Sequence, residues 1–288
     1  MSGPVEAEAA AAPLQAVGEM GWGDALVLGL VEGLTEYLPV SSTGHLLITQ
    51  RLLGLPESEA ANAYAVAIQA GAILAVLGLY RTRVLDMVQG ILGRSPEGRR
   101  LALHLVLAFV PAAIAGLTLD DPIERLLFGH WPIVAAWAAG GLLILALASR
   151  IKQRPGAELA SLGPKTALII GLCQCAALWP GVSRSLACLL GGLLVGLSLP
   201  AAVEFSFLLG LLTLGAATGY KSLKAGPIMI EAYGWGPILL GALAAWLSAV
   251  LSVKWMVGWL NTRGLQIFGY WRLAAALLVA GLALSGRF

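Results

Sequence analysis

Six apolar runs of the length needed to cross a bilayer, at roughly 62–80, 101–119, 131–149, 201–220, 236–258 and 266–286, leave this chain few folds to choose from. A helix needs about 20 predominantly apolar residues to cross the hydrocarbon core, whereas barrel strands alternate polar and apolar over about ten. The composition agrees, with 58% hydrophobic and only 12% charged residues where a soluble domain carries about 25%. The sequence therefore predicts an all-α integral membrane protein. A formal net charge of +2 is too small to point to a nucleic-acid partner. Residues 1–20, Ala-rich with Glu6, Glu8 and Glu19, lack the basic start and cleavage site of a signal peptide and read as a loosely ordered lead-in. Residues 21–286 read as one membrane domain.

Two further apolar stretches, about 24–50 and 167–198, are interrupted at their centres by Pro, Gly and hydroxyl residues. Proline ends a helix and frees backbone groups, which at membrane depth are tolerated only under protein or in a water-filled cavity. Both stretches are predicted to be re-entrant helix–loop–helix segments. They also resemble each other. Ala25-Leu-Val-Leu-Gly29-Leu-Val-Glu32 aligns with Ala167-Leu-Ile-Ile-Gly171-Leu-Cys-Gln174, an offset of 142 (25 to 167), and Ser41-Ser42-Thr43 then falls on Ser183-Arg184-Ser185. Three spans separate the copies, so the second is expected to be inverted, giving two repeats of about 22–149 and 165–286. Sites in such proteins lie at the repeat interface. Loop charge sets the orientation. The 81–100 connection holds Arg81, Arg83, Arg94, Arg99 and Arg100, and the 150–165 connection holds Arg150, Lys152, Arg154 and Lys165. Positively charged loops stay in the cytoplasm. The 120–130 connection, with Arg125 against Asp120, Asp121 and Glu124, is then outside, as are both termini. Lys221 and Lys224 fall on the outer side and run against this rule.

The polar groups inside the broken segments carry the functional reading, because ionisable residues at membrane depth are costly. Glu32 and Glu36 are four apart and share a helix face. Two carboxylates so close repel unless a cation lies between them or one is protonated. A divalent cation, Mg²⁺ or Ca²⁺, would relieve the repulsion and keep sites open for a phosphate. The alternative is a helix face turned to a water-filled vestibule, without metal. Ser41, Ser42 and Thr43 are residues of turns and caps, but His45 follows within four residues. An imidazole there is able to take a serine proton and activate a nucleophile, to protonate a leaving phosphate, or to act on water. Arg184, with a guanidinium fork suited to phosphate oxygens, is flanked by Ser183 and Ser185 in an anion cradle; a salt bridge to Glu32 or Glu36 is its other reading. Gln174, the counterpart of Glu32, is placed to hydrogen-bond across the interface. Glu204 and Gln69 rank lower, each reading equally as a helix contact or cap and as a ligand. Cys173, Cys175 and Cys188 read as buried thiols in apolar surroundings.

Taken together, Glu32-x-x-x-Glu36-Tyr-Leu-Pro39-Val-Ser41-Ser42-Thr43-Gly44-His45 and Pro180-Gly181-Val182-Ser183-Arg184-Ser185 resemble the bacitracin-resistance type undecaprenyl-diphosphate phosphatase family. The similarity runs from about residue 22 to 286 and includes Ala202-Val203-Glu204-Phe205-Ser206-Phe207-Leu208-Leu209. It departs after Ser185, where the family has a small residue and then Thr and this chain reads Leu186-Ala187-Cys188. A thiol is a weaker hydrogen-bond partner than a hydroxyl, so one substrate contact is expected to weaken while activity survives. The resemblance implies an enzyme of the bacterial inner membrane that removes the terminal phosphate of a C55 polyprenyl diphosphate. It further implies Glu32 and Glu36 as the acidic pair linked to a divalent metal, Arg184 as the pyrophosphate-binding arginine, Ser42 as nucleophile and His45 as its acid/base partner. The site is expected to open outward, and the working form to be a monomer or a homodimer. The rival reading is a transporter that flips polyprenyl phosphate through the same cradle.

Overall fold

The computed structural model describes residues 20–151 and 156–286, so the lead-in, Met20 apart, lies outside the described residues. Regular structure among the described residues is helical, with one isolated backbone bridge between Ala157 and Leu197. Helices α1 (Trp22–Thr35) and α2 (Ser42–Leu52) form the first broken segment, and α3 (Glu59–Ala67) and α4 (Gln69–Leu79) the first span. Helix α5 (Arg81–Ile91) leads into α6 (Pro96–Leu127), which is followed by α7 (His130–Ile151). The second broken segment is α8 (Pro164–Gln174), a 3-10 turn Cys175–Leu178 and α9 (Arg184–Leu194). Helices α10 (Leu199–Tyr233), α11 (Trp235–Arg263) and α12 (Gln266–Leu284) complete the chain.

Among the described residues, six stretches are long and apolar enough to span: Glu59–Leu79, Pro96–Leu119, His130–Ala148, Leu199–Tyr233, Trp235–Leu260 and Gln266–Leu284. They coincide with the six apolar runs to within a few residues, except that α10 continues well past residue 220. The halves of the broken segments are 11 to 14 residues long. At 1.5 Å per residue that is about 16–21 Å, too short for a hydrocarbon core of about 30 Å.

The two broken segments keep the same register. Helix α1 begins at Trp22 and α8 at Pro164; α2 runs Ser42–Leu52 and α9 Arg184–Leu194, each shifted by 142 (22 to 164, 42 to 184). Packing follows the same exchange: α1 lies on α11 and α8 on α6, while α4 contacts α11 and α10 contacts α6. Glycine makes both close approaches possible. A Cβ at Gly29 would meet the carbonyl of Gly241 on α11, and one at the corresponding Gly171 would meet Ala108 on α6. Small residues at such contacts are how helices associate in lipid, where no hydrophobic drive operates between them. On α11, Ala245, Ser248 and Ser252 are buried, and Ser252 Oγ donates to Gly33 O at 2.9 Å. Leu239, Leu243, Leu247 and Leu251, four residues apart on another face of α11, are exposed. With α1 and α8 anchored in this way, the two central loops come together.

Candidate active site

Each loop enters its second half-helix through a serine in the left-handed region, Ser41 and Ser183, both with φ of 74°. For a residue other than glycine this costs about 1–2 kcal/mol, and such strain concentrates at functional sites. Ties between the loops hold it in place. Ser185 Oγ donates to Leu38 O at 2.8 Å, Ser183 and Ser185 share a 3.0 Å hydrogen bond, and Ser183 Oγ accepts from Leu186 N as the helix cap. The Ser183 and Ser185 hydroxyls thus join the loops and cap α9.

Where the loops meet, Arg184 faces Glu36. Its Nη2 lies 3.2 Å from Glu36 Oε1 and its Nη1 donates to Ser206 O at 3.0 Å, while the buried Nε has no hydrogen-bond partner among the described residues. The guanidinium also sits 5.4 Å from the ring centroid of Tyr37, which packs edge-on against Phe207. Ser42 Oγ donates to the other Glu36 oxygen, Oε2. One carboxylate therefore links a hydroxyl to a guanidinium. Glu32, a turn earlier, is completely buried, and neither of its carboxylate oxygens has a hydrogen-bond partner among the described residues. The charges that act on it are those of Glu36 and Arg184. Paired carboxylates with orphaned oxygens suit a hard divalent cation. No group of three or more His, Cys, Asp or Glu occurs among the described residues, so a metal would need phosphate or water to complete its shell.

His45 is placed elsewhere. Its Nδ1 donates to Ser41 O at 2.7 Å, and its Nε2 accepts the indole N–H of Trp271 at 3.0 Å. A carbonyl only accepts and an indole only donates, so the two contacts together fix the Nδ1–H tautomer. The ring lies between Trp137 and Trp271, with centroids 4.8 and 6.1 Å away. The structure puts Ser42 with Glu36, not with His45. Gln174 Oε1 accepts from Thr213 at 3.1 Å and from Cys188 Sγ at 3.4 Å, leaving its Nε2 without a partner among the described residues. The thiol that departs from the family pattern therefore holds Gln174.

A cavity of about 650 Å³ takes in Glu36, Ser42, Thr43, Gln174 and Arg184. One wall, with Phe109 and Leu117 of α6, is apolar. Three contributors escaped the sequence reading: Trp271, the Ser206 carbonyl and Arg272. Arg272 is completely buried and donates to Pro39 O and Val182 O at 3.2 and 3.3 Å, to Ala136 O and Gly181 O at 2.8 Å each, and to Trp137 O at 3.4 Å. It fastens both loops to α7. A lone arginine within a predicted span is itself a signal, since such charges are rare in lipid.

Gly210 on α10 makes room for the Arg184 guanidinium, which a Cβ would overlap. Gly210→Ala is expected to displace that flexible end and lower kcat by about ten- to a hundredfold, as small misplacements do. The melting temperature should stay near wild type; a steady-state assay beside a thermal melt checks both.

A family model described as bacitracin resistance protein BacA matches residues 25–278. An undecaprenyl-diphosphatase of Sorangium cellulosum is 43% identical over 267 residues, covering 91% of this chain and 87% of the relative. Undecaprenyl-diphosphatase 1 of Chromobacterium violaceum is 42% identical over 261 residues, covering 91% and 96%. An undecaprenyl-diphosphatase of Deinococcus deserti is 38% identical over 271 residues, covering 93% and 97%.

Proposed function

We propose how this chain, which belongs to the bacitracin resistance protein BacA family, carries out its reaction at the meeting of its two loops. The protein is a multi-pass membrane enzyme, an undecaprenyl-diphosphatase that hydrolyses undecaprenyl diphosphate to undecaprenyl phosphate and inorganic phosphate and so recycles the carrier lipid. The observation that carries the mechanism is the chain Ser42–Glu36–Arg184 in one cavity.

When the diphosphate enters, Arg184 turns its fork from Glu36 to the phosphate oxygens, with Nε as an additional donor. Glu36 remains as acceptor for the Ser42 proton. Ser42 Oγ forms a bond to the terminal phosphorus as the bridging P–O bond breaks, and undecaprenyl phosphate leaves as an anion. Water then attacks the phosphoserine phosphorus as the P–Oγ bond breaks; Glu36 returns its proton to Ser42 Oγ, and the water's oxygen and protons leave with inorganic phosphate. Phosphoryl transfer asks mainly for positioning and neutralisation of charge, which Arg184 provides. Glu32 and Glu36 are the residues that would hold a divalent cation, Mg²⁺ or Ca²⁺, which supplies further positive charge toward the phosphates. His45 fixes the Ser41 carbonyl, and with it the strained entry to α2, as a positioning residue. Thr43 and the free amide of Gln174 line the cavity as further phosphate contacts.

The matched register of the broken segments and the exchanged helix contacts support the reading of two inverted repeats with re-entrant loops. The basic 81–100 and 150–165 connections support an orientation in the bacterial inner membrane with the site opening to the outer face.

The test is inorganic phosphate release from a C55 diphosphate by the purified protein. Chelation by EDTA is expected to abolish release and added Mg²⁺ or Ca²⁺ to restore it. Ser42→Ala is expected to lower kcat by about a hundredfold or more, the scale of losing a nucleophile and its proton transfer. Undiminished turnover in Ser42→Ala would remove Ser42 as the attacking group.

A further inference from the structure

The sequence places two lysines on the outer side, against the rule that loop charge otherwise obeys. Lys221 and Lys224 are three residues apart on α10, which puts them on neighbouring positions of one helix face. Both line the same cavity as Ser42 and Arg184. Arg184 lies at its buried end; Lys221 is half-buried and Lys224 exposed, so the lysines stand at the mouth. Neither takes part in an ion pair among the described residues, where the pairs are Arg51–Glu57, Arg83–Glu204 and Arg184–Glu36. The carboxylates of Glu59 on α3, which packs on α10, and of Glu231 on α10 do not pair with them. Two adjacent cations that pair with no carboxylate among the described residues repel each other unless an anion lies between them. The facing wall, with Phe109 and Leu117, is apolar.

We infer that Lys221 and Lys224 form a second phosphate subsite at the mouth of the cavity, separate from the Arg184 cradle. This rests on the proposed reading of that cradle as the place of hydrolysis. The ligand is a phosphate group, brought either by the lipid diphosphate on its way in or by the inorganic phosphate on its way out. A charged mouth with one apolar wall focuses anions inward and raises their rate of capture. The two lysines on the outer side then have a reason to be there that is independent of topology.

The test compares wild type with the double variant Lys221→Gln/Lys224→Gln and with Lys221→Arg/Lys224→Arg. With a C55 diphosphate at low ionic strength, the Gln pair is expected to lower kcat/KM by about tenfold, carried by KM, and the Arg pair to restore it. The difference should shrink to about twofold or less in molar salt, where exposed charges are screened. Inhibition by added inorganic phosphate separates the two sources. A higher inhibition constant in the Gln pair with unchanged kcat/KM assigns the subsite to the product, and the reverse pattern to the lipid head. Unchanged values of both, or a loss that the Arg pair does not restore, would overturn the inference. Should wild type release no phosphate, the proposed mechanism falls, and a ³¹P NMR titration with inorganic phosphate decides the subsite alone. Weaker binding by the Gln pair supports it, and equal binding refutes it.

Discussion

Arg184→Ala should all but abolish turnover, lowering kcat/KM by about a thousandfold or more, the range seen when an arginine that neutralises a transferring phosphoryl group is lost. The residue is at the junction of three demands. Its Nη1 is anchored on Ser206 O, its Nη2 pairs with Glu36, and its Nε is buried without a partner among the described residues. Removing it takes away the phosphate fork and also leaves the Glu36 carboxylate buried with Ser42 as its remaining hydrogen-bond partner. Some loss of stability therefore accompanies the loss of activity. Arg184→Lys separates the two effects. It keeps a positive charge beside Glu36, so the fold should hold, but an ammonium cannot reproduce a bidentate fork, and kcat/KM should still fall by about a hundredfold. Thermal melts beside phosphate release measure both. Wild-type turnover in Arg184→Lys would show that a point charge suffices there.

The spans, the broken segments and the 142-residue register were readable because each is written in local pattern: apolar length, Pro and Gly at the breaks, and a repeated Gly29/Gly171. Glu32, Glu36, Ser42 and Arg184 could be picked out for the same reason, as polar groups in apolar stretches. Their partners could not. His45 stands three and four residues from Ser42 and Ser41, so the spacing suggested a hydroxyl partner. Its ring instead meets Trp271, 226 residues away in sequence, and the backbone of Ser41. Which of two nearby groups receives the Ser42 hydrogen bond depends on the left-handed turn at Ser41, and no propensity predicts that turn at a serine. Cys188 looked like a weakened substrate contact, yet its neighbour is Gln174, a relation set by how α9 lies on α8.

Arg272 is the residue whose importance depends most on tertiary structure, and its loss should be the most damaging to the fold. Arg272→Leu would leave the carbonyls of Pro39, Val182, Gly181, Ala136 and Trp137 without the donor they share. Pro39 and Gly181 are counterparts in the two loops (39 to 181 is again 142), so one guanidinium grips both copies at the same place. With no carboxylate in the contact among the described residues, the carbonyl dipoles stabilise its charge, and a leucine of similar size cannot satisfy them. Leaving a buried carbonyl unsatisfied costs about 1–3 kcal/mol, and several lose their donor at once. The expected outcome is a markedly lower melting temperature in detergent and phosphate release below detection. Arg272→Lys, with three donors in place of five, should melt between the two and recover only part of the activity. Gly140 gives an independent check from the other side, since a Cβ there would run into the Arg272 guanidinium. If Arg272→Leu melts and turns over like wild type, the two loops do not depend on this clasp, and the ties of Ser183 and Ser185 to Leu38 must be enough to hold the strained serines in register.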